Sequence, residues 1–60
     1  MLNLMNIFDT IEYAKLNDYR IVLVYYKTYN IDIAKDKREI KKIFKNYKIK
    51  YYNSHMVITI

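Results

Sequence analysis

Apolar residues near the start of the chain fall at three- and four-residue intervals: Leu4, Ile7, Phe8, Ile11 and Ala14. That spacing lines one face of a helix. Asn3 is placed to cap its start and Asn17-Asp18 to end it, because short polar side chains satisfy free amides at a first turn and tolerate the backbone that leaves a last one. The pattern then changes. Tyr19 to Lys27, YRIVLVYYK, is β-branched or aromatic at both odd and even positions, as expected for a strand covered on both faces. Tyr29-Asn30-Ile31 reads as a connection, and Asp32 as the cap of a second helix.

At about 100° per residue, Ile33, Ile43, Phe44 and Tyr47 project within roughly 60° of Ile40. Lys35, Lys37, Arg38, Lys41, Lys42, Lys45 and Lys48 fill a broad arc to one side, while Asp36 and Glu39 hold the narrow opposite flank. The second helix is thus expected to carry a core stripe, a basic face and an acidic edge. From Tyr47 the period becomes two. A two-residue turn at Asn53-Ser54 pairs Tyr51 with Met56, Ile49 with Ile58 and Tyr47 with Ile60 on an apolar face. The opposite face pairs Lys48 with Thr59, Lys50 with Val57 and Tyr52 with His55, so a one-residue slip would expose the apolar set.

The order α-β-α-β-β predicts one α+β domain over residues 1–60, with a three-stranded mixed or antiparallel sheet and two helices on one face. The last strand is expected between the first two, antiparallel to both, and the strand-helix-strand unit is expected to cross over right-handed. The other sheet face is left open, with Val22, Val24 and Tyr26 expected on it beside Lys48, Lys50, Tyr52, His55 and Val57. A face so apolar calls for a partner. A chain of 60 residues buries only about 60% of its unfolded surface, so assembly would also add stability.

Composition qualifies the charge. Lys, Ile, Asn and Tyr make up 33 of 60 residues, with no Gly or Pro, the mark of an AT-rich coding sequence. Such bias enriches lysine by itself and discounts the net charge of +5 as a nucleic-acid signal. Its distribution says more. Residues 1–33 carry a net charge of −1 and residues 34–60 a net +6, an asymmetry that base composition does not produce.

Several classes are set aside. Cysteine is absent, so no disulfide framework or thiolate zinc site is available, and a reducing, cytoplasmic setting is expected. The opening MLNLMNIFDT lacks a basic segment and is broken by Asp9, unlike a targeting signal. The longest apolar run, Ile21 to Tyr26, is six residues against the roughly 20 of a membrane span. Ile40, Phe44 and Tyr47 are needed for the core, so no membrane-surface partner is expected either.

Catalytic groups are sparse. His55 is the single imidazole, and Ser54, its sequence neighbour, is expected to point away from it. Glu39-Ile40-Lys41 matches the E-x-K fragment of metal-dependent nucleases, but such sites need the two residues side by side on a strand, and positions i and i+2 of a helix diverge. The pairs Asp9/Glu12 and Asp36/Glu39 fall short of a ligand set for a hard cation. Without glycine no phosphate-cradling loop forms. No enzyme, metal or cofactor is expected.

Binding is what remains. Lys35, Arg38, Lys41, Lys42, Lys45 and Lys48 are candidates for phosphate contacts, and Lys50, Tyr52, Tyr26 and His55 for contacts across the open sheet, where tyrosines stack on bases. The expected role is that of a small phage or mobile-element protein acting stoichiometrically on a host protein or ribonucleoprotein complex that handles nucleic acid, such as a CRISPR effector (an anti-CRISPR) or a polymerase. Direct DNA or RNA binding and a homodimer built on the open face are the alternatives.

Overall fold

A computed structural model describes residues 4–60; the expected cap Asn3 lies outside them, as does the side chain of Leu4. The chain folds in the expected order into an α+β domain with helix α1 (Leu4–Leu16), strand β1 (Ile21–Tyr25), helix α2 (Ile33–Ile43) and strands β2 (Lys48–Tyr51) and β3 (His55–Thr59). The sheet is antiparallel in the order β1-β3-β2.

Each element ends for a local reason. At the end of α1 the Tyr19 amide donates to the Ala14 carbonyl and that of Asp18 to Lys15, with Asp18 left-handed at φ 59°. These are the two hydrogen bonds of a Schellman motif, with aspartate where glycine is usual. The same device recurs after β1. Ile31 donates to Tyr26 and Asn30 to Lys27, with Asn30 at φ 58°. In a chain without glycine, Asp and Asn take these positions because their short polar side chains tolerate left-handed backbone. Helix α2 opens with a reciprocal cap: the Ala34 amide donates to the Asp32 carboxylate, and the Asp32 amide donates to that of Asp36.

The hairpin pairs as the alternation predicts, with Lys48 opposite Thr59, Ile49 opposite Ile58, Lys50 opposite Val57 and Tyr51 opposite Met56. The Tyr52 amide closes it by donating to the His55 carbonyl at 2.8 Å. Strand β1 is held against the turn by the Tyr26 amide, which donates to the Ser54 carbonyl, and by the Tyr26 hydroxyl, which donates to the Tyr52 carbonyl at 2.8 Å.

Ile7, Ile11 and Ala14 of α1 and Ile40 and Phe44 from the α2 region form one core with Val22, Val24, Tyr26, Met56 and Ile58. Both helices therefore lie on one face of the sheet. This corrects the expected parity of β1. Val22 and Val24 sit opposite Ile58 and Met56 and face the helices with them, and Tyr26 follows into the core. The open face receives Ile21, Leu23 and Tyr25 instead, about half exposed. Strand β1 is thus covered on one face, not two. Every position from Ile21 to Tyr26 is apolar or aromatic, so its composition gave either parity a suitable core face.

Candidate functional site

Helix α2 ends at Ile43, which divides the cations among three elements. Lys35, Lys37, Arg38, Lys41 and Lys42 lie on the helix, Lys45 on the turn after it, and Lys48 and Lys50 on β2; all are exposed. The expectation that Lys45 and Lys48 continue the helical arc is corrected. Phe44 caps the helix with its amide donating to the Ile40 carbonyl, and the chain turns into the strand.

The cations still converge. Lys37 and Lys41 reach down from α2 over the ring of Tyr51, with Nζ 4.5 and 5.9 Å from its centroid. The basic flank of the helix therefore hangs above the β2 edge. A cleft of about 280 Å³ between the end of α2 and that strand is lined by Lys41, Phe44, Lys45, Tyr47, Ile49 and Tyr51. On the other side of the strand a depression of about 310 Å³ is lined by Lys48, Ile49, Lys50, Val57 and Thr59. Ile49 borders both. Positive charge thus passes around the β2 edge from the helical layer to the open sheet face, while Lys35 and Lys42 lie farther out on α2. Lys15 of α1 extends the charge toward the cleft, its Nζ 5.5 Å from the Tyr47 ring centroid. Its hydrogen bond with Tyr47, and then the charge interaction with that phenol, raise its pKa.

The open face has its own order. Tyr25 on β1 and His55 on β3 are register partners, and Tyr52 stands across the hairpin from His55. The Tyr52 and His55 rings are stacked, with centroids 5.0 Å apart and an interplanar angle of 17°; Tyr25 and His55 lie 5.2 Å apart at 42°. One step along, Leu23, Val57 and Lys50 form the next row, and Ile21, Thr59 and Lys48 the one after.

Of the residues singled out in the sequence, Lys48, Lys50, Tyr52 and His55 share this open face, and Lys35, Arg38, Lys41, Lys42 and Lys45 lie on the helical side. Tyr26 is removed from the set: it is 7% exposed, and burial raises its phenol pKa. Tyr25 takes its place. The doublet Tyr25-Tyr26 guarantees a tyrosine on each face, but only the β1–β3 register decides which one is outside. Ser54 is also corrected: its Oγ lies 3.0 Å from His55 Nδ1, not turned away. The contact sits on an exposed turn.

Glu39 and Lys41 of the E-x-K fragment flank the fully buried Ile40 on α2. Among the described residues no group of three or more His, Cys, Asp or Glu comes together, and no helix is long and apolar enough to cross a membrane. Compared with protein-family models, curated proteins and solved structures, the chain has no significant match.

Proposed function

We propose that this protein is a non-enzymatic binding module that grips nucleic acid along the β2 edge. The observation that carries the reading is the convergence of cations from α2, the following turn and β2 on one edge of a small sheet. A phosphate backbone laid along that edge meets Arg38, Lys41 and Lys45 on one side and Lys48 and Lys50 on the other. Each contact releases condensed counterions, so affinity falls steeply with salt. A protein holding a strand in this way is also suited to act stoichiometrically on a complex that handles nucleic acid, the role expected from the sequence.

The test is titration of labelled oligonucleotides at two salt concentrations. The expected result is a negative slope of log affinity against log salt, shrinking by about 0.7–0.9 for each phosphate-binding lysine removed. Affinity indifferent to salt, or unchanged in Lys41→Glu/Lys45→Glu, would falsify the reading.

The β1 edge favours a second reading, self-association. The Arg20–Ile60 and Tyr26–Ser54 backbone bonds fix the alternation so that the peptide groups of Ile21 and Leu23 face away from the sheet. No charge guards this strand, IVLVY, whereas an edge strand kept single usually carries one. Antiparallel pairing of two β1 strands about Leu23 would extend the sheet to six strands. On this reading sedimentation shows a dimer that Leu23→Lys dissociates, and a monomer at every concentration excludes it.

A further inference from the structure

We propose that Tyr25, His55 and Tyr52 form a base-stacking row that makes the site selective for single-stranded nucleic acid. The inference rests on the nucleic-acid reading above and names the form of ligand. Three rings follow one another from β1 through β3 to the residue after β2, at centroid spacings of 5.0 and 5.2 Å, and the two outer ones are about half exposed, Tyr52 at 48% and Tyr25 at 49%. Because His55 covers one face of Tyr52, the opposite face is the one left for a ligand. It opens at the β2 edge, where the cations are.

The spacing suits a strand whose bases are splayed. Lys50 lies two residues before Tyr52 on the same face, about 7 Å along the strand, so a base laid on Tyr52 leaves its phosphate within reach of the Lys50 ammonium. Leu23 and Val57 supply an apolar floor beside the row. Charge agrees: among the described residues this face carries two lysines and no carboxylate, which complements a polyanion and disfavours a basic protein surface. Stacking on a tyrosine requires an unpaired base, because in a duplex both faces of each base are already occupied. The Ser54 hydroxyl lies 3.0 Å from Nδ1 of the central ring, which is nearly parallel to Tyr52 and tilted by 42° from Tyr25.

The experiment measures binding of a mixed-sequence single-stranded oligonucleotide and of its duplex to the intact protein and to Tyr52→Leu, Tyr52→Phe and Lys45→Glu. Folding of each is checked by circular dichroism, and the His55 ring protons are followed by NMR. Expected are tighter binding of the single strand, a loss of about tenfold for that form alone in Tyr52→Leu, near-full retention in Tyr52→Phe, and weaker binding of both forms in Lys45→Glu. The His55 ring signals should move with the single strand and not with the duplex. Equal binding of both forms by the intact protein, unmoved His55 signals, or a Tyr52→Leu effect that is absent or equal for the two forms overturns the stacking row while leaving the cationic edge in place. Absence of salt-dependent binding to either form overturns the parent reading and this one with it. Should the oligonucleotide compete with a dimer held through this face, as shown by light scattering, the occupant is a second copy and the row is overturned.

Discussion

At the scale of single residues, two tyrosine hydroxyls only one strand apart have opposite fates. That of Tyr26 is buried and donates to the Tyr52 carbonyl at 2.8 Å, tying β1 to the hairpin. That of Tyr51 is buried without a partner under the lysines of α2. An unpartnered buried hydroxyl costs about 1–3 kcal/mol, whereas a made hydrogen bond contributes only about 0.5–1.5 kcal/mol. Tyr51→Phe is therefore expected to leave stability unchanged or raise it by about 1 kcal/mol, since the ring still meets the Lys37 ammonium. Tyr26→Phe is expected to lower it by about 1 kcal/mol and to strand the Tyr52 carbonyl. Burial raises the pKa of both phenols, and for Tyr51 the neighbouring Tyr26 adds to it. The unfolded chain thus ionises first as pH rises, so the stability these groups contribute is present below their ordinary pKa of about 10 and lost above it. Urea denaturation of the three proteins near neutrality and at about pH 10.5 should show a smaller alkaline loss in Tyr51→Phe than in the parent. An equal loss would mean that Tyr51 titrates like an exposed phenol.

At the scale of elements, the end of α1 and the turn after β1 are set by Asp18 and Asn30 in left-handed backbone at φ 59° and 58°. Such a conformation costs most residues roughly 1–2 kcal/mol and glycine nothing. Asn30→Gly should raise stability by several tenths of a kcal/mol, up to about 1, while Asn30→Val should lower it by about 1–2 kcal/mol, both read from thermal or urea melts. A Val variant as stable as the parent would show that the turn can close in another way. The same elements mark what the sequence can tell. Helix α2 was legible because Ile33, Ile40 and the capping Phe44 share a face only at the helical period, and the hairpin because Ile49, Tyr51, Met56 and Ile58 alternate with residues that tolerate water. Strand β1 was not. With both parities apolar, its orientation is decided by the β1–β3 register, which the Tyr26 hydrogen bonds help to fix and no local pattern reveals. Of the Tyr25–His55–Tyr52 row, the Tyr52–His55 pair followed from the alternation of the hairpin, and Tyr25 was hidden for the same reason as the strand that carries it. The stop at Ile43 escaped because the helical and the strand readings both leave Lys45 and Lys48 exposed.

At the scale of the molecule, small size and uneven charge act on one another. A 60-residue domain has on the order of 3–9 kcal/mol of stability. Phe44 is 1% exposed, its ring 4.9 Å from that of Phe8, and Phe44→Ala at about 3–5 kcal/mol should leave much of the protein unfolded at 25 °C. Against so thin a margin, repulsion within the basic half matters. The molecule measures 31 × 19 × 18 Å, so at about 0.01 M salt, where the Debye length is roughly 30 Å, every cation senses every other. At about 0.15 M that length falls to roughly 8 Å and only neighbours interact. Raising salt between these values should therefore stabilise the fold, by about 1 kcal/mol or some 4–8 °C in Tm, while weakening nucleic-acid binding. Lys45→Glu should mimic the salt in both respects, giving a higher Tm at low salt with a flatter salt dependence, and lower affinity. On the proposed function the two effects have opposite signs because they have one cause: the charges that would attract a phosphate backbone to the β2 edge also push one another apart when no strand lies there. A Tm that falls with salt in the parent, or a Lys45→Glu variant that loses stability and affinity together, would mean that these cations are held by carboxylates of the same molecule and are not gathered for an external anion.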